Sequence, residues 1–577
     1  MALQSISIGT TANDGTGTNL REAFDICNDN FTEVYSSGTA ALAYKLEGTN
    51  FTGSLLVGHS TTGTISSAEY NTGIGISTLD ALTSGDRNVA VGALAGTNIS
   101  SGGSNTLVGS NAGDALTTGS HNIAIGHNAL GAEDGNGRNV AIGYQALLVQ
   151  NAGADAYNIA IGYNTGVAVS TGIRNIIIGA EAGDALTTGD YNVAIGHEAL
   201  STEDAHGRNV AIGYRALRDM DAGTDAYSVA IGYLAGENIT TGIRNVLIGG
   251  LAGDALTTGS SNIAIGLQAL STEDGHGLNI AIGHNALASL NAGADGYNVA
   301  IGHLAGEDMT TGIQNTIVGG LAGDALTTGS NNVALGYNAL STEDTGARNT
   351  AIGSGTLASM NYNGNGYNVA VGYNAGTTIT TGRYNALVGA SAGLAITTGE
   401  RNTALGYRAL YTNDDGDNNV AIGYQALYTL DPASNVDMYN VAVGYTAGYA
   451  LTTGTNNVII GGEAGDTLTT GTDNIAIGRQ ALSAKTTGAA DVAIGHEALQ
   501  DADGGDAYNV AVGWRAGRNV TTGIRNIVIG ASAGDTLSSG VDNIAIGYQA
   551  LSAEDTHSYN TAVGHQTLRV QDAGADA

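Results

Sequence analysis

One cysteine, one proline and three phenylalanines occur in 577 residues, and 19 basic side chains face 52 acidic ones. Each shortage removes a class of protein. The lone Cys27 allows no disulfide framework and no cysteine-based metal site. A formal net charge of −33 with no Lys/Arg cluster repels nucleic-acid phosphates and anionic membranes, so no nucleic-acid binding is expected. No stretch has the length and apolarity of a membrane span, so no membrane insertion is expected either. Residues 1–18 lack the basic start and apolar run of a secretory signal, which places synthesis in a cytoplasm. The acidic surplus repels itself and would be screened by salt or divalent cations, which suits a protein working outside a cell.

Glycine is abundant, at 90 residues, and the 42% apolar share is mostly Ala, Val, Ile and Leu. That mixture predicts a narrow, long core in place of several globular ones. The phrase "NVAIGYQAL" stands at 139–147 and again at 419–427. Aligned on its glycine it recurs at Gly75, Gly92, Gly109, Gly126, Gly143 and Gly162, in steps of 17 with every fourth step 19, giving blocks of 70 residues. The register runs on to Gly564, with one step of 21 (Gly423 to Gly444) and one of 18 (Gly495 to Gly513).

Short alternating segments with Gly, Asp, Asn and Thr-Thr-Gly between them indicate brief strands and turns. A unit of 17 residues is too short for a propeller blade or a helical hairpin but sufficient for one coil of a parallel β-solenoid or β-roll. Roughly thirty coils at about 4.8 Å per strand layer predict a shaft on the order of 140 Å. Within Asn-Val-Ala-Ile-Gly, alternation sets Val and Ile on one face, expected to fill the coil. Asn, Ala and Gly lie on the other, expected to meet another strand layer or another chain. Asn heads nearly every unit, as at Asn88, Asn105, Asn122, Asn139, Asn158, Asn175, Asn192 and Asn209, which predicts a structural ladder of stacked amides. Where the third position is large (Leu107, Ile177, Leu247), the residue after the glycine is small (Ser110, Ala180, Gly250), so the two are expected to share volume in one seam.

Before the repeats, Leu20, Phe24, Cys27, Phe31 and Val34 are spaced 4, 3, 4, 3, the heptad spacing of a coiled coil. A short helix is marginal alone, so this segment is expected to meet copies of itself, and a homotrimer is the expected assembly. Residues 1–57 are assigned to docking and trimerisation, 58–577 to the shaft. "ISIGTTANDGTGTNLREAFDICNDNFTEVY" resembles the amino-terminal segment of structural proteins of tailed phages, notably those infecting cyanobacteria, and the "NVAIGYQAL" units resemble their fibre repeats. Asn-x-Ala-Ile-Gly is also similar to the repeat of trimeric autotransporter adhesin heads. The resemblance implies a trimeric left-handed β-roll in a virion tail fibre, held by a tail or baseplate protein at its amino terminus and directed at a host surface glycan through tip or shaft. The units here are longer than the usual adhesin-head unit.

No catalytic or cofactor site is expected, because every Ser, His and Asp recurs by block while an active site is singular. His127, His197, His284 and His303 share a slot with Tyr144, Tyr214 and Tyr424, and are expected to be interchangeable packing residues; the alternative is a platform for sugar rings. The acidic corners "STED" (201–204) and "MDAGTDAY" (220–227) are read as solvated, with a shared hard cation such as Ca2+ as the alternative. The off-period loop "LDPASNVDM" (430–438) and Trp514 are read as local insertions. "RVQDAGADA" (569–577) stops where another coil would open, which predicts a longer polypeptide or a tip protein covering Ala577. The expected function is a rigid tail-fibre shaft. The alternatives are a glycan-binding adhesin and, behind it, a polysaccharide depolymerase, which would need a singular carboxylate pair.

Overall fold

The computed structural model describes residues 44–45, 50–58, 65–553 and 555–570. The candidate trimerisation residues Leu20, Phe24, Cys27, Phe31 and Val34, and Ala577, lie outside the described residues. The chain divides into two units, Met1–Arg244 and Asn245–Ala577. Both are parallel β-solenoids, and no helix occurs among the described residues.

In the first unit, eleven three-residue strands from Leu55–Val57 to Val229–Ile231 pair in parallel, each with the strand one coil on. Val193, Ala194 and Ile195 lie opposite Val210, Ala211 and Ile212. Tyr44–Lys45 adds an antiparallel pair at the start. The second unit repeats the design with nineteen such strands, from Val246–Ile248 to Thr561–Val563. Its 21-residue step is absorbed by a small extra parallel pair, Gly416–Asp417 with Val436–Asp437, which ties the longer loop to the coil before it.

The orientation of the strands reverses the expectation from alternation. Ala124, Ala141 and Ala160 are fully buried, whereas Ile123, Ile125 and Ile161 on the same strands are more than a third exposed. The Asn, Ala and Gly face is the interior of the coil, and Val and Ile point outward. A 17-residue coil is too thin to hold β-branched side chains from the strand and leucines from the opposite turn together. The turn supplies Leu130, Leu147 and Leu200, all fully buried, and the strand contributes alanine. Where the turn supplies leucine, close packing leaves the strand room for alanine only.

The volume exchange also has a different partner. Leu107 is interior, while the residue after the glycine faces outward, so the two cannot share a seam. Leu107 instead lies between Gly96 and Gly113, where an added Cβ would stand 2.6 Å and 2.9 Å from its methyl groups. In the coils of Ala124 and Ala141 that turn slot holds leucine, Leu130 and Leu147. The backbone there is left-handed in either case, with φ of 55° at Gly113, 54° at Leu130 and 50° at Leu147.

Left-handed backbone costs a non-glycine residue about 1–2 kcal/mol, and each coil carries it repeatedly. The compensation is visible in the hydrogen bonds. A left-handed residue turns its N–H along the stack: Asn128 donates to Ser110 O (3.1 Å), Gln145 to His127 O (2.9 Å) and Leu130 to Ala146 O (2.9 Å). Turns therefore bond from coil to coil as strands do, at about 0.5–1.5 kcal/mol net for each bond. The geometry after each strand excludes a side chain outright. Gly126 has φ of 139°, and a Cβ there would sit 2.1 Å from Gly143 O.

Candidate functional site: ladders inside and outside the coil

Asn88, Asn105, Asn122, Asn139, Asn158, Asn175, Asn192 and Asn209 are all buried in one column of the first unit. The ladder is chiefly amide to backbone. Each Oδ1 accepts the main-chain N–H of the asparagine one coil on, as from Asn122 to Asn105 (2.9 Å) and from Asn175 to Asn158 (2.8 Å). Nδ2 commonly donates to a glycine carbonyl of the next coil, as Asn105 does to Gly119 O (2.9 Å). Direct amide–amide bonds join some rungs, such as Asn105 Nδ2 to Asn88 Oδ1 (3.0 Å). The column carries the register of the stack and offers no group to solvent.

A second interior column escaped the sequence analysis. Ile99, Leu116, Val169, Leu186, Met220 and Ile239 fill it in the first unit, but once per block it holds a carboxylate, Glu133 and then Glu203, both fully buried. Glu273 and Glu343 continue the pattern in the second unit, followed by Asn413 and Lys485. The glutamate of "STED" is therefore not part of a solvated corner, although its neighbours Asp204 and Asp274 are exposed. Glu203 Oε1 accepts the N–H of His206 (3.0 Å), closing the turn, and Glu273 Oε2 accepts that of Ala292 in the next coil (3.1 Å). Burial raises the pKa of Glu133, Glu203 and Glu343 above the ordinary glutamate range, against the lowering effect of those backbone bonds. Around Glu133 the accounting is incomplete: Glu133 Oε2, Asn139 Nδ2 and Gln150 Nε2 are buried without a protein partner. Aligning the sequence on the 17-residue step would have placed Glu133 under Leu116 and exposed the anomaly.

Among the described residues, three acidic groups could hold a cation by distance alone. Glu203, Asp204, His206 and Asp221 bring ligand atoms within 4.8 Å of one another, as do Glu181, His197 and Glu198, and Glu273, Asp274 and His276. The first and third use the buried glutamate, whose oxygens are already committed to backbone N–H groups. Each also includes a histidine, an unsuitable ligand for the hard cation considered above.

Outside the coil, the Val and Ile side chains of most strands form a row of apolar surface, flanked by the slot after the glycine. There His127, Tyr144 and Tyr163 stack with ring centroids 5.5 and 5.3 Å apart, and His197, Tyr214 and Tyr233 repeat the arrangement at 5.6 and 5.4 Å. Their planes are within about 13° of parallel, so ring faces are spent on one another and edges meet solvent. A sugar would find a free face only at the end of each short stack. Trp514 is similarly engaged, with the Arg515 guanidinium 4.4 Å from its ring.

On the other flank, in the position before the ladder asparagine, Arg and Tyr alternate through Arg138, Tyr157, Arg174, Tyr191, Arg208 and Tyr227. Arg138 lies 5.4 Å from the Tyr157 ring, and Arg208 lies 5.7 and 5.5 Å from those of Tyr191 and Tyr227. Arg138 also pairs with Asp155, and Arg208 with Asp225. No family model matches the sequence, and no curated protein or solved structure compared with it is similar. Among the described residues no helix is long and apolar enough to cross a membrane.

Proposed function

We propose that the protein is a structural, non-enzymatic fibre of a bacteriophage tail: a homotrimeric shaft that docks to a tail or baseplate protein through residues 1–57 and positions host recognition. The observation that carries the reading is the outward row of β-branched side chains. An isolated solenoid would leave this row in water on coil after coil, with Ile123, Ile125, Ile161 and Ile176 each more than a third exposed. Contiguous apolar surface of this kind marks an interaction face. Covering it with further copies of the chain gains about 25 cal/mol per Å² of apolar area removed from water. The contact between copies is thus assigned to Val and Ile, since the Ala/Gly face is occupied inside the coil. The recurrence of most polar groups from block to block supports a mechanical role over a catalytic one. A glycan-binding surface adhesin is the second reading, favoured by the exposed Tyr and His columns.

Two measurements test this. Sedimentation of the full chain should give a trimer, and replacing Ile161, Ile195 and Ile212 by Arg should yield monomers that keep their β circular dichroism. A monomeric parent would remove the assembly, and a trimer surviving the triple substitution would remove its assignment to this face. Electron microscopy of virions with a label on residues 1–57 should mark the tail apparatus. Label on a cell envelope without virions would transfer the function to the adhesin.

A further inference from the structure

The Arg, Asp and Tyr set on the flank recurs at a fixed register. Arg138 and Tyr157 sit on adjacent coils, since Val140 pairs with Ile159, and Arg208 and Tyr227 do so through Val210 and Val229. In each set an aspartate two residues before the tyrosine, Asp155 or Asp225, binds the guanidinium. Asp225 divides its oxygens: Oδ1 accepts the N–H of Gly207 (3.1 Å) and Oδ2 takes Arg208.

The second unit keeps two members of this set and changes the third. Ile280 pairs with Val299, so Leu278 stands opposite Tyr297, with Asp295 two residues before the tyrosine. Asp295 Oδ1 accepts the N–H of Gly277 at 3.1 Å, as Asp225 does from Gly207. Position 278 offers no guanidinium, and no salt bridge reaches Asp295 among the described residues. One coil earlier the column holds Ser261, where the preceding block has Tyr191. The two smaller side chains open a notch of about 290 Å³, with Gly275, Gly277 and Leu278 among its lining residues, together with Thr258, Ser261 and Asp295. Tyr297 beside it is more than half exposed.

We propose that this notch receives an arginine side chain presented by a partner protein, its guanidinium pairing with Asp295 and lying against the Tyr297 ring. The chain itself supplies the precedent, because Arg138 and Arg208 make both contacts from the equivalent position. A carboxylate beside an aromatic face suits a planar guanidinium better than an ammonium, which cannot form the flat two-sided contact. The surplus of negative charge favours approach of a basic segment. This site goes beyond the fibre reading and stands or falls apart from it.

The test places 3-fluorotyrosine at position 297 of the full chain and follows its ¹⁹F resonance during titration with N-acetyl-arginine amide. A saturable shift is expected, weakened about tenfold or more in Asp295→Asn, which keeps the acceptor for Gly277 but loses the charge. It should vanish in Leu278→Arg, whose own guanidinium takes the place. That variant should fold, because φ is 64° at Leu278 and 65° at both Arg138 and Arg208. Absence of a saturable shift overturns the proposal. So does an equal shift with N-acetyl-lysine amide, or one that persists unchanged in either variant, since both would report only the general attraction of an acidic surface for cations.

Discussion

Lys485 and Asp491 form a fully buried ion pair, Nζ to Oδ2 at 2.8 Å, in a coil where the Glu and Asn of earlier blocks are both replaced. Glu343 and Asn349 hold the corresponding positions, also six residues apart. The lysine further donates to the carbonyls of Gly504 and Gly505, each at 3.2 Å. Asp491 keeps its rung of the ladder, giving its N–H to Asn474 Oδ1 and accepting that of Asn509.

Breaking this pair on one side should cost about 3–5 kcal/mol, the penalty of an uncompensated buried charge. Lys485→Glu sets two acids against each other, and Asp491→Asn strands the lysine. The double variant restores the Glu and Asn pattern and should recover most of the loss. Thermal unfolding of the three variants checks this, a strongly non-additive double-mutant cycle being the expected result.

Asn105→Leu removes the acceptor for the buried N–H of Asn122 and the donor to Gly119 O. Orphaning buried polar groups costs about 1–3 kcal/mol each. Hydrogen exchange should accelerate first at Asn122 and the coils next to it, because each coil contacts chiefly its neighbours. Exchange unchanged at Asn122 would show that the rung contributes nothing.

Two glycines separate conformational cost from steric exclusion. Gly153 has φ of 70° and open space around the missing Cβ, so Gly153→Ala should cost only about 1–2 kcal/mol. Gly126→Ala would press a methyl group 2.1 Å from Gly143 O and must part the coils. A clearly larger fall in midpoint is expected for the second, read by thermal denaturation.

The buried glutamates should make the fold more stable in mild acid. Glu133, Glu203 and Glu343 have raised pKa values, so the folded chain binds more protons than the unfolded one above the ordinary glutamate value of 4.5. Their stabilising contribution is full below that value and declines as pH rises through the raised folded values. Asp184 and Asp324, also raised by burial, act in the same direction. The midpoint should fall as pH rises from 4.5 through the raised folded values. A triple Glu→Gln variant at 133, 203 and 343 should flatten that slope.

The period was legible because the phrase headed by asparagine returns at nearly every step, and the steps of 18, 19 and 21 place their extra residues between phrases, so each rung keeps its column. Ala141 and Ile142 were assigned to the wrong sides for a definable reason. Alternation tells which residues share a face, not which face is inside, and size was taken as the guide. The decisive constraint was the fully buried Leu147 across the coil, which leaves room on the strand only for alanine. Glu203 was read with the charged corner because its sequence neighbours Thr202 and Asp204 are polar. Its spatial neighbours are one coil away, where Leu186 stands in the same column.

The asparagine rungs reach only the coil before and the coil after, so the interior keeps no record of position along the chain. Coding sequence for a 70-residue block can be lost or doubled by recombination between near-identical neighbours. Each new junction then meets the same surface as the old one. A single codon gained within Val193–Ile195 would instead turn alanine outward and isoleucine into a space that cannot hold it. Changes in length that fall on the strands should therefore arrive in whole coils or whole blocks, whereas the turns take up single residues, as in the 18-residue step from Gly495 to Gly513.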